Sequence, residues 1–321
     1  MRPSHSLLAI FIGLGLLSAA PARGQARKSA YTPPRTPDGQ PDLQGIWSST
    51  TSTPLERPTE LAGKAFFTPA EAAAYEKQTV KRANADVRST DAEADVSGAY
   101  NEAWRDRGKV VKTLRTSLIV DPPDGKIPAL TPDGERRAAA LTAERRDHPA
   151  DGPESRGLAE RCILWPTAGP PMLPGGYNNN YQIFQTRDQV AIVIEMIHEV
   201  RVIPLDTRPH LPSGVRQWMG DSRGHWEGNT LVVDTTNFTG KTRFRGASEN
   251  MHLTERFTRT DANTILYEFT VDDPAAFTKP WTAAITMNQS PGPVYEYACH
   301  EGNYGMVGIL AGAREQEKKS K

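Results

Sequence analysis

From Tyr181 to Cys299 the chain reads as one short strand after another, and that succession limits the folds open to it. The alternating segments are Tyr181–Thr186, Val190–Ile197, Val200–Leu205, Gly224–Glu227, Thr230–Thr236, His252–Arg259, Thr264–Val271, Thr282–Met287 and Val294–Cys299. Several of the turns between them are tight: Arg187-Asp188, Gly228-Asn229 and Asp261-Ala262-Asn263. Short strands separated by turn residues predict an antiparallel meander. A meander of about eight strands closes readily, because closure removes exposed edges. The expected class is therefore mainly β: an antiparallel up-and-down barrel, preceded by a helical and irregular N-terminal segment. A barrel of this size has room for one small ligand.

The densest chemistry lies in Arg216–Phe238, RQWMGDSRGHWEGNTLVVDTTNF. Gly228 at the first central position suits a type II′ turn, whose twist matches the flanking strands. A two-residue tip sets Glu227 opposite Thr230, His225 opposite Val232 and Arg223 opposite Asp234. One ribbon thus carries Asp221, Arg223, His225, Trp226 and Glu227. It reads either as the rim of a site or as a well-laced structural hairpin.

The first residues read as an export signal: Arg2, the apolar run Leu7–Leu17, and an A-x-A cut at Ala20-Pro21-Ala22, with Ala26 as a second possible cut. The apolar run is too short for a permanent membrane span, and no later stretch qualifies. Residues 1–22 are taken as the signal peptide, 27–156 as an arm with helices packing on the barrel, 157–313 as the barrel and 314–321 as a charged C-terminal tail. Export fits the cysteines. There are only two, Cys162 and Cys299, and in an oxidising compartment a lone pair is expected to be joined. Two separate buried thiols are the alternative. The 38 basic and 38 acidic residues balance. Without a basic block interleaved with aromatics, nucleic acid is not an expected partner.

Within the arm, Leu43, Ile46 and Trp47 are expected to anchor a segment lying across the domain surface, with Trp47 as a packing plug. Thr68-Pro69-Ala70-Glu71 is a capping box with Pro at the first helical position, opening a helix to about Ala85. Thr131-Pro132-Asp133 opens a second, to about Arg146. Residues 86–107 read as a mobile polar loop, and Thr113–Asp121 as one strand.

Candidate acids, bases and ligand holders cluster in the barrel half. Glu255 shares a face with Met251, Leu253 and Phe257 by period two. A carboxylate in such an apolar row is suited to proton transfer, or is paired with an arginine across the sheet. His252 lies on the opposite face with Thr254 and Arg256. His252, Glu255, His225 and Asp221 are the catalytic candidates, expected to border one concavity. Arg223, Trp226, Arg208, His210 and Asn180 are the ligand-binding candidates. Asp206 with Arg208 also reads as a simple turn clasp, and Asn180 as part of an Asn-rich turn. Glu195 is expected opposite Arg201. Cys299-His300-Glu301 offers another imidazole, with a bland surface reading beside it. There is no H-E-x-x-H or H-x-H, so no metal is expected, although ligands gathered across strands stay open. P-loop, dinucleotide and G-x-S-x-G signatures are absent, and no cofactor is expected.

The succession PDLQGIW, SLIVDPPDGKIPALTPDG, RCILW, YNNNYQIFQT, VRVIPLDTRPH, GDSRGHWEGNTLVVDTTNF, ERFTR, YEFTVDDP and EYACHEGN resembles a family of exported, mostly uncharacterised proteins of soil and environmental bacteria. The resemblance spans residues 35–313. It implies export and a lipocalin-like β-barrel half, and assigns no residue a role. The functional expectation is an exported small-molecule enzyme using cofactor-free acid–base chemistry, of lyase, isomerase or hydrolase type, in a barrel pocket. The alternative is a lipocalin-like binding protein for a lipophilic or phenolic molecule, and a third is a structural envelope protein.

Overall fold

The computed structural model describes residues 31–97, 101–165, 167–242 and 244–319. The expected signal peptide lies outside them. Among the described residues the elements run β1 (Gly45–Ser48), α1 (Pro69–Arg82), α2 (Ala92–Ser97), β2 (Ile119–Asp121), α3 (Pro132–Asp147), β3 (Asn180–Gln185), β4 (Gln189–Ile194), β5 (Val200–Pro204), β6 (Asp221–Glu227), β7 (Thr230–Thr236), β8 (His252–Asp261), β9 (Thr264–Asp272), β10 (Trp281–Gln289) and α4 (Tyr304–Lys319).

Nine strands form a nearly closed antiparallel barrel in the order β5-β4-β3-β1-β10-β9-β8-β7-β6, with the short β2 pairing on β10. Each strand from β3 to β10 neighbours its successor, as tight turns favour, except at one seam: no ladder joins β5 to β6. The up-and-down expectation is met. The predicted hairpin is also met, with Arg223 opposite Asp234 and His225 opposite Val232, around Gly228 at φ +60°.

The N-terminal arm departs from expectation. Residues 45–48 do not lie on the surface. They form the wall strand that closes the barrel, between β3 (Trp47 opposite Tyr181) and β10 (Trp47 opposite Gln289). The reason is the apolar anchors already visible in sequence: Leu43 and Trp47 are fully buried, and the Trp47 indole donates to the Leu43 carbonyl at 2.9 Å. The Trp47 plug is as expected. Both helix starts hold as well. Thr68 accepts from the Glu71 amide while Glu71 accepts from the Thr68 amide at 2.8 Å, and Thr131 Oγ1 accepts from the Gly134 amide at 3.0 Å.

Four other expectations are revised. Thr113–Asp121 is strand only from Ile119, because Phe67 and Thr116 take backbone hydrogen bonds elsewhere, to Leu114 and Ala65. The polar stretch 86–107 carries the short helix α2. Val294–Cys299 is not a strand, and the chain beyond it forms α4 through to Lys319, so most of the expected charged tail is helical. Among the described residues no helix is long and apolar enough to cross a membrane.

The barrel interior is filled by side chains. Leu253 and Phe257 from β8, Tyr267, Phe269 and Val271 from β9, and Trp281, Ala283, Ile285 and Met287 from β10 all face inward and are buried. The segment around Met172 enters as well, its amide donating to the Tyr267 hydroxyl at 3.0 Å. The seam is closed by packing rather than by a ladder. A Cβ on Gly224 would stand 2.8 Å from Leu205 Cδ2 and 2.9 Å from Ile203 Cγ2, so β5 side chains rest directly on the β6 backbone. Gly224→Val is therefore expected to overpack the seam and cost about 1–3 kcal/mol. The urea midpoint should fall at an unchanged slope. An unchanged midpoint would contradict the packed seam.

Candidate functional site

The catalytic candidates separate by strand parity. Glu255 points into the barrel and is fully buried. Its partner is Arg201 of β5, which reaches across the interior: Nη1 donates to Oε1 at 2.9 Å and Nη2 to Oε2. Arg201 also donates to Ser222 Oγ at 3.0 Å and Thr235 Oγ1 at 3.0 Å, and Tyr267 donates its hydroxyl proton to Glu255 at 2.7 Å. Burial first, and the Glu255 charge second, push the Tyr267 hydroxyl well above its ordinary range, so Tyr267 stays a donor. Glu255 is thus the arginine-paired carboxylate, with its lone pairs occupied. The expected Glu195–Arg201 pair does not form. Arg201 sits opposite Ile192, and Glu195 instead accepts from Asn180 Nδ2 at 2.9 Å. The left-handed turn at Ile197 and His198 shifts the β4–β5 register.

On the outer face the structure brings four named residues together. Asp221, Arg223, His210 and His252 gather around Asp234, a hub that the sequence reading used only as a strand partner. His210 Nδ1 lies 2.9 Å from Asp221 Oδ2 and its Nε2 2.8 Å from Asp234 Oδ1, so both ring nitrogens are engaged by carboxylates. His252 Nε2 contacts the other Asp234 oxygen. Arg223 pairs with Asp221 at 2.9 Å. The 205–220 loop is held here: the Leu211 amide donates to Asp221 at 3.0 Å, and Asn237 Nδ2 donates to the Leu211 carbonyl at 2.8 Å. The result is an alternating carboxylate–imidazole chain, able to hold and relay protons, across β6, β7 and β8. The Asp234 hydrogen bond, with Asp272 adding charge, raises the His252 imidazole above its ordinary value. Burial works against ionised Asp234, but hydrogen bonds from His252 and His210 outweigh it and lower the carboxyl.

The remaining candidates stand apart from this cluster. His225 is exposed, 3.3 Å from Glu227, which also pairs with Arg256 at 2.9 Å. Arg208 forms the clasp with Asp206 at 2.6 Å. Trp226 packs against the core, and its buried indole nitrogen has no partner among the described residues. Cys162 and Cys299 form the expected disulfide, with Cα atoms 5.7 Å apart. Among the described residues no group of three or more His, Cys, Asp or Glu side chains is placed to hold a metal ion.

A cavity lies apart from the residues of both carboxylate networks, beside the barrel end where β7 leads into β8. It has a volume of about 550 Å³ and is walled by the C-terminal end of α3, residues from 154–165 and 169–171, and Lys241, Thr242, Phe244 and Arg245. Leu158, Leu164, Trp165, Pro170, Pro171 and Phe244 supply apolar surface. Phe244 stacks on the buried Trp281 at 6.1 Å, and Trp165 packs on Tyr177 and Tyr297. The disulfide ties this wall to the segment after β10, and Asn303 Nδ2 donates to the Glu160 carbonyl in the same wall at 2.8 Å. The cavity residues were not legible in sequence because they come from three separated pieces of chain, the end of α3 and two irregular segments. Their only linear signal is charge: the RR pair ending α3 and the KTRFR run at 241–245.

No family model matches the chain, and neither a curated protein nor a solved structure matches it.

Two outcomes follow from the carboxylate networks. Arg201→Met alone leaves Glu255 buried without its cation and should cost about 3–5 kcal/mol, whereas Arg201→Met with Glu255→Met should recover most of it. Denaturant unfolding measures both, and a single variant as stable as the parent would refute the pairing. For the outer chain, Asp234→Asn should lower the His252 pKa in an NMR titration. The raised His252 value stabilises the fold below the unfolded imidazole range, and this is lost as pH rises through the folded value. The lowered Asp234 value acts oppositely, being lost as pH falls through its folded value. The His252–Asp234 contact between β8 and β7 should therefore contribute most at mildly acidic pH, and denaturant midpoints of the parent and Asp234→Asn compared across pH would show it.

Proposed function

We propose that this protein is an exported small-molecule-binding protein whose ligand seat is the cavity at the barrel end. The observation carrying this reading is the pairing of a filled barrel with an apolar-walled cavity of about 550 Å³ beside it. That volume falls within the range of small-molecule sites, which are mostly apolar with a few placed polar groups. The leader pattern, the family resemblance and a disulfide consistent with an oxidising compartment support export. Relative to a lipocalin-like carrier, the ligand moves from the barrel interior to its mouth.

The second reading is acid–base catalysis, and the Asp221–His210–Asp234–His252 chain favours it. A half-exposed imidazole oriented by a carboxylate is a competent general acid. It would act on the outer face, without Glu255. Mass spectrometry of ligands extracted from the exported, natively purified protein tests the first reading. Ala159→Trp, which fills the cavity, should abolish retention while the fold survives. Retention that persists in that variant would remove the cavity as the seat. Retention lost in His252→Ala but not in Ala159→Trp would favour the outer chain.

A further inference from the structure

We infer that the cavity at the barrel end selects an anionic ligand: a small molecule with a flat apolar body and one carboxylate, sulfonate or phosphate head. This rests on the reading of the cavity as the ligand seat and adds its chemistry. The wall carries five cationic side chains, Arg145, Arg156, Arg161, Lys241 and Arg245, against two carboxylates, Glu144 and Glu154. These cations are not all consumed by neighbours. Arg156 is held by Glu160 at 2.5 Å and by the Pro149 carbonyl at 2.8 Å, and Arg161 reaches Glu154 only at 3.9 Å. Lys241 and Arg245 are exposed where they line the cavity.

A further observation points the same way. Arg245 adopts φ +50°, a left-handed conformation that a non-glycine residue takes at an energetic cost and that concentrates at ligand clamps. It follows Phe244 directly, so one strained turn presents an aromatic face and a guanidinium to the same space. The segment is held in place, Thr242 Oγ1 donating to the Trp218 carbonyl at 2.8 Å. The partial negative charge at the α3 C-terminus opposes an anion, and Arg145 in that last turn offsets it. Guanidinium forks match planar oxyanions in two-point contact, while Trp165, Phe244 and the paired prolines match a flat apolar body.

The test uses two dyes that share an apolar body, anilinonaphthalene sulfonate and its neutral relative N-phenylnaphthylamine, titrated by fluorescence at low salt. The sulfonate should bind at least about tenfold more tightly and weaken as ionic strength rises, since half-exposed charges are screened. The double variant Lys241→Glu/Arg245→Glu should weaken the sulfonate by about tenfold or more and leave the neutral dye unchanged, with thermal unfolding confirming an intact fold. Trp165→Ala should weaken both dyes. Equal affinity for the two dyes, or sulfonate binding untouched by the double variant, overturns the anion preference while the cavity remains the seat. Binding of neither dye overturns the inference and the cavity reading together.

Discussion

The Arg201–Glu255 contact is the interaction on which the barrel depends, because it lies where backbone pairing stops. β5 and β6 are the free ends of the sheet, and no ladder joins them. From β5, Arg201 reaches Glu255 on β8 and on the way bonds Ser222 of β6 and Thr235 of β7, while Tyr267 of β9 completes the carboxylate. One guanidinium thus engages three consecutive strands across the gap. A buried pair of this kind is weak evidence for net stability, since desolvation offsets much of the attraction. Its value here is geometric. Five polar groups from different strands are satisfied in one arrangement, and a register slip would leave charges buried without partners.

That same network fills the barrel interior. With an ion pair, a tyrosine and the Met172 segment in the lumen, the interior has become a core. The chain that enters the lumen at Met172 is the chain that lines the cavity at Leu164, Trp165 and Pro170. Filling the barrel and walling the cavity beside it are therefore one structural event. The outer carboxylate–imidazole chain is the complement. It fastens the 205–220 loop to β6–β8 from outside, through groups whose parity excludes them from the lumen.

Much of the fold was legible because strands advertise themselves by period and turn. Gly228-Asn229 set the register of the hairpin, and Arg223 does face Asp234. Thr68 and Thr131 marked helix starts through local chemistry that tertiary context did not override. What was not legible is long-range. Period two placed Glu255 in an apolar row, but no local rule could say that its arginine comes from a strand 54 positions away. Residues 45–48 carried no turn signal to pair them, since their partners lie at opposite ends of the barrel half. The cavity was least legible of all. Its residues share neither period nor spacing, only proximity once the end of α3 and two irregular segments meet at the barrel end.

The disulfide supplies the missing constraint for that proximity. The wall residues 153–165 and 167–171 have little regular structure, so few backbone ladders hold them against solvent. Joining Cys162 to Cys299 closes a separation of 137 residues, which on the chain-entropy picture removes about 5 kcal/mol of unfolded-state freedom. The bond is placed away from the barrel staves, which already have ladders, and inside the wall that lacks them. Cys162 itself sits at φ +55°, a backbone state that its surroundings must hold in place. An irregular wall fixed by a covalent tie, and an aromatic floor fixed by Trp281 beneath Phe244, give a cavity whose shape exists before any ligand arrives. Preorganisation of this kind lowers the ordering cost of binding. The covalent tie thus acts on the segment that walls the cavity rather than on the barrel staves.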